Sequence, residues 1–258
     1  MTALPVSPRA AALYRRAVVI DMHNDMANRV LDDGYDPDVL HAPGYGSDRG
    51  ETDLPRLVSS GITAQFLAAF VHARYAQAEP DQSWARVNAY LDTIHAFVRR
   101  HPGHLLPGTT ARDAVRAKRE GKVAVFIGIE GGHVIENSLE KLRVLYGRGA
   151  RYMTLTWNNG NDWAGSSIGE HGTRTGGLTD FGREVVREMN RMGMLVDVSH
   201  VSDATFADVL ATSSAPVIAS HSGARALNPH ARNLSDDMLR AVAHAGGVVN
   251  VNFFSVFL

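Results

Sequence analysis

The sequence predicts an α/β fold, a (β/α)8 TIM-like barrel, and three features of the 258-residue chain support it. Its short strand candidates are almost wholly apolar, which is typical of parallel strands covered by helices. These strands alternate with segments of helical periodicity. Polar and ionisable groups follow the carboxyl ends of five strands, and in a barrel such ends converge on one mouth. A doubly wound sheet is the alternative, but no glycine-rich dinucleotide fingerprint follows the first strand.

Seven strand candidates can be placed along the chain. They cover residues 17–25, 62–71, 122–132, 151–157, 195–200, 216–221 and 246–254. Helical spacing or capping residues predict helices at 54–60, 83–100, 110–120, 138–146, 180–192, 203–213 and from Ser235 onward. The glycine-rich stretches 34–49 and 164–177 predict long loops. We therefore expect residues 1–258 to form one barrel domain that is incomplete at its carboxyl end, with about seven of the eight strands.

Composition excludes several classes of function. The net charge is −1, with 26 basic and 27 acidic residues, so no basic surface for nucleic acid is expected. The chain has no cysteine, so any bound metal must be held by nitrogen and oxygen ligands. No apolar run of signal-peptide length begins the chain, and none approaches the ~20 residues of a membrane span. We expect a cytoplasmic protein without a membrane anchor.

The first two candidate ligands lie at the end of the first strand. His23 and Asp25 are two residues apart, so on a strand they point to the same face. Glu130 follows the apolar run of the third strand, directly before Gly131 and Gly132. A carboxylate next to an apolar run is costly unless it is paired or bound to a metal. These groups could hold a divalent ion, although each one alone also fits an ordinary strand end.

Two later strands repeat one pattern. Leu195–His200 and Pro216–His221 are apolar runs that both end in Ser-His, with one predicted helix between them. Parallel strands joined in this way place both imidazoles on the same rim. The candidate ligands now number three nitrogens and two carboxylates, namely His23, Asp25, Glu130, His200 and His221. One carboxylate can bridge two ions, and zinc suits such a ligand set, while manganese, iron and cobalt also fit.

In six stretches the chain resembles the renal-type membrane dipeptidase family, a branch of the metal-dependent amidohydrolase barrels. The stretches are Ile20–Asp25, Gly128–His133, Tyr152–Trp157, Leu195–His200, Ala219–Ser222 and Arg232–Asp236. The resemblance implies that His23, Asp25 and Glu130 bind one Zn²⁺, and that Glu130, His200 and His221 bind a second. It further implies a catalytic role for Glu130 as the bridging carboxylate, a dipeptide substrate whose carboxylate binds Arg232, and a homodimer. A metal-activated hydroxide would then hydrolyse the peptide bond.

The chain departs from this family at two places. Trp157 stands where the renal enzymes have a histidine that binds the substrate carbonyl. Tryptophan cannot do this, so Asn158, Asn159 or another donor replaces it, or the substrate preference differs. The family's acid/base aspartate on its last strand has no counterpart before Leu258, which predicts a protein truncated at the carboxyl end. The alternatives are a related metal-dependent phosphoesterase or nuclease, and an inactive metal-binding fragment.

Overall fold

The computed structural model describes residues 6–44, 48–76, 80–169 and 176–258. Within them the strands are β1 (Ile20–Asp21), β2 (Ala64–Phe70), β3 (Leu105–Pro107), β4 (Val123–Glu130), β5 (Ala150–Thr154), β6 (Leu195–Asp197), β7 (Ile218–Ser222) and β8 (Val248–Val251). The helices are α1 (Pro8–Arg16), α2 (Met26–Asp33), α3 (Leu54–Ser59), α4 (Gln82–Arg100), α5 (Ala111–Glu120), α6 (Leu139–Gly147), α7 (Asp180–Met192), α8 (Asp203–Thr212) and α9 (Asp236–His244).

The strands form one parallel sheet in the order β1-β2-β4-β5-β6-β7-β8. The short strand β3 pairs with the start of β4, from Leu105 opposite Val123 to Pro107 opposite Val125. The sheet curves almost into a closed barrel, so that His23 after β1 and His221 on β7 lie with ring centroids 3.7 Å apart. This seven-strand path confirms the prediction of an incomplete TIM-like barrel.

The packing explains why the strands are so apolar. Every residue of β4 is buried, because β2 and β5 flank this strand and helices cover it. On α4, Val87, Leu91 and Ile94 are almost fully buried, as their spacing predicted. Each such side chain contributes about 1.5–3 kcal/mol when it leaves water. The predicted caps Thr179 and Ser235 are also present, and each accepts a backbone hydrogen bond in the first turn of α7 or α9.

Several predicted boundaries were wrong. The first strand was expected over 17–25, but β1 ends at Asp21, whose carboxylate accepts a hydrogen bond from the His23 backbone. His23 and Asp25 therefore follow the strand rather than lie on it. Helix α2 was missed; its N-cap Asp25 makes no capping side-chain hydrogen bond, and the Asn24 side chain accepts from Met26 N instead. Helix α1 and strand β3 were missed as well.

The long loops predicted at 34–49 and 164–177 lie partly outside the described residues, which leave out 45–47 and 170–175. Among the residues that are described, none of the helices has the length and apolar character that crossing a membrane requires.

Candidate metal centre

The turn after β4 places Glu130 at the mouth of the barrel. Glu130 is the last residue of that strand and is 3% exposed. Gly131 follows with φ +102°, a conformation that a side chain would strain, and a short 3-10 helix then begins at Gly132. The chain therefore turns away directly after the carboxylate and leaves it at the end of a fully buried strand.

The backbone at His200 is held in an unusual conformation. β6 ends at Asp197, and His200 follows with φ +67°, which non-glycine residues rarely adopt. Its carbonyl accepts a hydrogen bond of 2.7 Å from Ser167 N, which helps to hold this turn. Such strain costs about 1–3 kcal/mol and is concentrated at functional sites. His221 needs no special turn, because it lies within β7 on the neighbouring strand.

The two oxygens of Glu130 face different groups. Oε2 lies 3.3 Å from Nε2 of His23, and the same nitrogen lies 3.3 Å from Oδ1 of Asp25. Oε1 lies 2.8 Å from Nε2 of His200 and 3.4 Å from Nε2 of His221. The two last-named nitrogens are 2.9 Å apart. All five predicted ligands therefore meet at one place, with Glu130 between two groups.

These separations fit metal coordination. Ligand atoms about 2.0–2.2 Å from a tetrahedral ion lie roughly 3.3–3.6 Å from one another. The contacts of His23 with Asp25 and Glu130 have this length, and so does the contact between Glu130 and His221. The two shorter contacts of His200 have hydrogen-bond length. His23, Glu130 and His221 form a candidate metal site in which one ligand atom of each lies within 4.8 Å of the others.

Each histidine is held from behind through its Nδ1 atom. His23 Nδ1 lies 2.8 Å from the Tyr152 hydroxyl, and His200 Nδ1 lies 3.1 Å from Oδ1 of Asn158. His221 Nδ1 lies 2.8 Å from Oγ of Ser220. Metal-binding histidines commonly use their second nitrogen in this way, which fixes the ring and its tautomer.

Burial and neighbouring charges shift the pKa values of the central glutamate and the three histidines in different directions. Burial raises the pKa of Glu130, but His23, His200 and His221 outweigh it and hold that pKa well below its usual value. Burial lowers the pKa of His23, but Tyr152, Glu130 and Asp25 raise it well above the usual value. Burial, together with the charge of Arg232, lowers the pKa of His200 to about 4. Burial and the charge of His23 lower the pKa of His221 well below its usual value. His200 and His221 are therefore neutral at pH 7, which is the form that binds metal.

Arg232 lies beside the carboxylate and histidines. It is 2% exposed, and its Nη2 donates to the carbonyl of His221 at 3.0 Å, while Nη1 lies 3.4 Å from Oγ of Ser222. Its Nε is buried without a hydrogen-bond partner among the described residues. Burial lowers the pKa of Arg232 to about 10, so the side chain keeps its charge at neutral pH.

Trp157 forms an aromatic wall near His200. Its ring centroid lies 4.8 Å from that of Phe70, 5.0 Å from that of His72 and 6.5 Å from that of His200. It is half-buried, as is Asn158. The wall borders a cavity of about 1300 Å³, which is also lined by the three candidate ligand histidines, Glu130 and Arg232.

Comparison with known proteins decides the family. The model of the membrane dipeptidases, peptidase family M19, matches residues 7–258. The chain belongs to this family.

Solved structures of similar proteins agree with the M19 assignment. A metallo peptidase from Rhodobacter sphaeroides, liganded with a phosphinate mimic of the dipeptide L-Ala-D-Ala, shares 27% identity at a TM-score of 0.80. The match covers 93% of this chain and 75% of that one. Dipeptidase AC, a metallo peptidase of family M19, shares 28% identity at a TM-score of 0.81, over 93% of this chain and 73% of that one. The probable dipeptidase PvdM from Pseudomonas aeruginosa shares 25% identity at a TM-score of 0.80, over 98% of this chain and 65% of that one. These findings confirm the prediction of a hydrolase of the metallo-dipeptidase class.

Sequence reasoning missed several residues of this M19 site. Tyr152, Asp197 and Ser220 lie in motifs that were recognised, yet no role was assigned to them. Tyr152 contacts His23 and Ser220 contacts His221, and Ser220 donates to Asp197 at 2.6 Å. Asp197 offered one signal, since it is an acidic residue within an apolar strand and requires hydrogen-bond partners there.

Proposed function

We propose that this M19 protein hydrolyses dipeptides at a site for two divalent metal ions, most suitably Zn²⁺. The observation that carries the proposal is that the two carboxylate oxygens of Glu130 face different histidines. Oε2 faces His23, and Oε1 faces His200 and His221. A carboxylate in this position is suited to bridge one ion held with His23 and Asp25 and another held with His200 and His221. Nitrogen and carboxylate ligands without thiolates fit zinc, and also manganese and cobalt.

When bound, the ions would activate a water molecule and polarise the peptide carbonyl. The charge of Glu130 offsets part of the charge of the ions. The neutral imidazoles of His200 and His221 offer lone pairs at pH 7, and their low pKa values keep them in that form. The buried position of these groups keeps competing water away and strengthens each electrostatic contact.

Three further residues are proposed to bind the substrate. Arg232 carries a buried positive charge at the cavity wall and retains an unused donor, which suits a carboxylate. Trp157 presents an aromatic face to the cavity, and such a face suits an apolar side chain. Asn158 contacts His200 and also borders the cavity, so its amide is placed to orient His200, to form a hydrogen bond with the substrate, or to do both. A cytoplasmic location and a homodimer remain predictions from the sequence.

The test compares metal content with hydrolysis. Metal-free protein should bind two equivalents of Zn²⁺ and should then hydrolyse dipeptides. His200→Ala should lose at least one equivalent and nearly all hydrolysis, whereas the exposed His104→Ala serves as the matched control and should keep both. Binding of less than one equivalent by the wild-type protein, or unchanged hydrolysis in His200→Ala, would contradict the proposal.

A further inference from the structure

We propose that Asp197 and Ser220 are positioning residues that hold His221 in the tautomer with its proton on Nδ1. The Nε2 lone pair of His221 then faces Nε2 of His200 and Oε1 of Glu130, where a metal ion would bind. The proposal rests on the proposed function in one respect, namely that His221 is a ligand. The relay itself is a property of the protein without metal.

Asp197 is fully buried at the end of β6, and its two oxygens have different partners. Oδ1 accepts from the backbone nitrogens of Ser199 at 3.0 Å and Ser220 at 2.9 Å. Oδ2 accepts from Oγ1 of Thr154 at 2.5 Å and Oγ of Ser220 at 2.6 Å. Four donors around one side chain are what an ionised carboxylate accepts.

The proton count then fixes the direction of every hydrogen bond. Ser220 has one hydroxyl proton, which it donates to Asp197 in a hydrogen bond. The 2.8 Å contact between Ser220 Oγ and His221 Nδ1 must therefore be donated by the imidazole. Ser199 Oγ accepts from His221 N at 3.1 Å and lies 3.4 Å from Ser220 Oγ, so its own proton points to the remaining lone pair of Ser220. The chain of donors runs from His221 through Ser220 to Asp197.

His221 is distinguished from the other two ligand histidines by this buried charge. His200 faces a neutral amide through Nδ1, and His23 faces a phenol. A carboxylate at the end of the relay favours a proton on Nδ1 of His221 and raises the basicity of Nε2. The expected consequence is tighter metal binding at the ion held by His200 and His221.

The structure also predicts what Asp197→Asn does. The side-chain oxygen must stay at the Oδ1 position, because two backbone N–H groups donate there. The amide nitrogen then takes the Oδ2 position and donates to Ser220. Ser220 then donates its proton to His221 Nδ1 at 2.8 Å, which is a closer and stronger acceptor than Ser199 Oγ at 3.4 Å. This moves the imidazole proton from Nδ1 to Nε2 and blocks the metal-binding lone pair.

The experiment reads the tautomer directly. Nitrogen-15 spectra of histidine-labelled, metal-free protein should show His221 protonated on Nδ1 in the wild type and on Nε2 in Asp197→Asn. Zn²⁺ affinity, measured by competition with a chelator, should fall about 10–100-fold in the variant. The matched control is Asp53→Asn, which alters another fully buried aspartate that caps α3, and which should leave the tautomer and the affinity unchanged.

If Asp197→Asn does not fold, Ser220→Ala replaces it, and His221 should then lose its preference for a proton on Nδ1. An unchanged tautomer in a folded variant would overturn the relay. Because the spectra are recorded without metal, a wild-type protein that binds no Zn²⁺ would contradict the proposed function and not the relay.

Discussion

The Oε1 atom of Glu130 lies 2.8 Å from Nε2 of His200. Glu130 ends β4, whereas His200 lies in the turn after β6. The other oxygen, Oε2, faces His23 at 3.3 Å. One buried carboxylate thus contacts both groups of candidate ligands. Among the described residues, Glu130 is the only acidic residue that contacts both groups of candidate ligands. Removal of its negative charge should therefore weaken metal binding in both groups.

Glu130→Gln should lower the metal content to one equivalent or less and reduce dipeptide hydrolysis at least about 100-fold. The amide keeps the volume of the side chain but cannot bridge two cations. Elemental analysis after dialysis and a hydrolysis assay provide the two readouts. Glu188→Gln is the control, because this nearly buried carboxylate pairs with Arg143 and Arg191 away from the ligands. Retention of two ions by Glu130→Gln would contradict a bridging role.

The proximity of the five candidate ligands could be predicted from the sequence because parallel strands bring their carboxyl ends together. Glu130 and His221 lie on strands that were predicted within about two residues of their observed ends. His23 and Asp25 were placed at the centre by an argument that was partly wrong, since β1 ends before both of them. They still lie together because the turn into α2 points both side chains toward Glu130.

The residues behind the ligands could not be predicted in the same way. Whether Tyr152 reaches His23, which lies 129 residues earlier in the chain, depends on how β5 is placed relative to the turn after β1. It also depends on Gly128, where a Cβ atom would collide with the tyrosine ring. Hydrophobic pattern predicts that these strands are buried, but it contains no information about which side chains meet across the barrel. The relay through Ser220 likewise depends on the positions of individual protons.

Trp157→Ala should reduce kcat/KM about 10-fold or more for dipeptides with a large apolar side chain, and should reduce it less for dialanine. The loss arises because the aromatic wall with Phe70 no longer contacts the substrate side chain. Trp157→Phe keeps an aromatic face and should retain most of the preference. Steady-state kinetics on a panel of dipeptides measures the effect. An equal loss for all substrates would instead indicate that Trp157 supports His200 or the fold.

Arg232→Lys and Arg232→Ala should raise KM for dipeptides, by at least about 30-fold in the alanine variant, since loss of a buried charge partner costs about 2 kcal/mol or more. Lysine keeps the charge but lacks the planar fork that binds a carboxylate in two places, so its effect should be intermediate. Dipeptide amides, which have no free carboxylate, should respond weakly to either substitution. The exposed Arg240→Ala provides the control. Similar losses with the amides would contradict a carboxylate contact.

We expect His133 to make the free energy of unfolding depend on pH. It is 7% exposed, and neither ring nitrogen has a hydrogen-bond partner of normal geometry among the described residues. Burial lowers its pKa to about 4, although the Val71 backbone and Glu130 oppose this effect. The unfolded chain, in contrast, has an ordinary histidine with a pKa of about 6.5. Between these two pH values the unfolded state binds more protons, so the folded state loses stability as the pH falls.

The wild-type protein should therefore lose about 2 kcal/mol of unfolding free energy between about pH 7 and about pH 5 through His133 alone. His133→Phe removes the titrating group. The unfolding free energy of this variant should therefore fall by about 2 kcal/mol less than that of the wild type over the same pH interval. Urea unfolding of both metal-free proteins at the two pH values gives the change in unfolding free energy of each protein. The change in the variant is then subtracted from the change in the wild type, so that a pH-independent effect of the substitution on packing cancels. His104→Phe, at an exposed position, should leave the pH dependence of the wild type unchanged. Equal pH dependence in wild type and His133→Phe would show that His133 titrates normally in the folded protein.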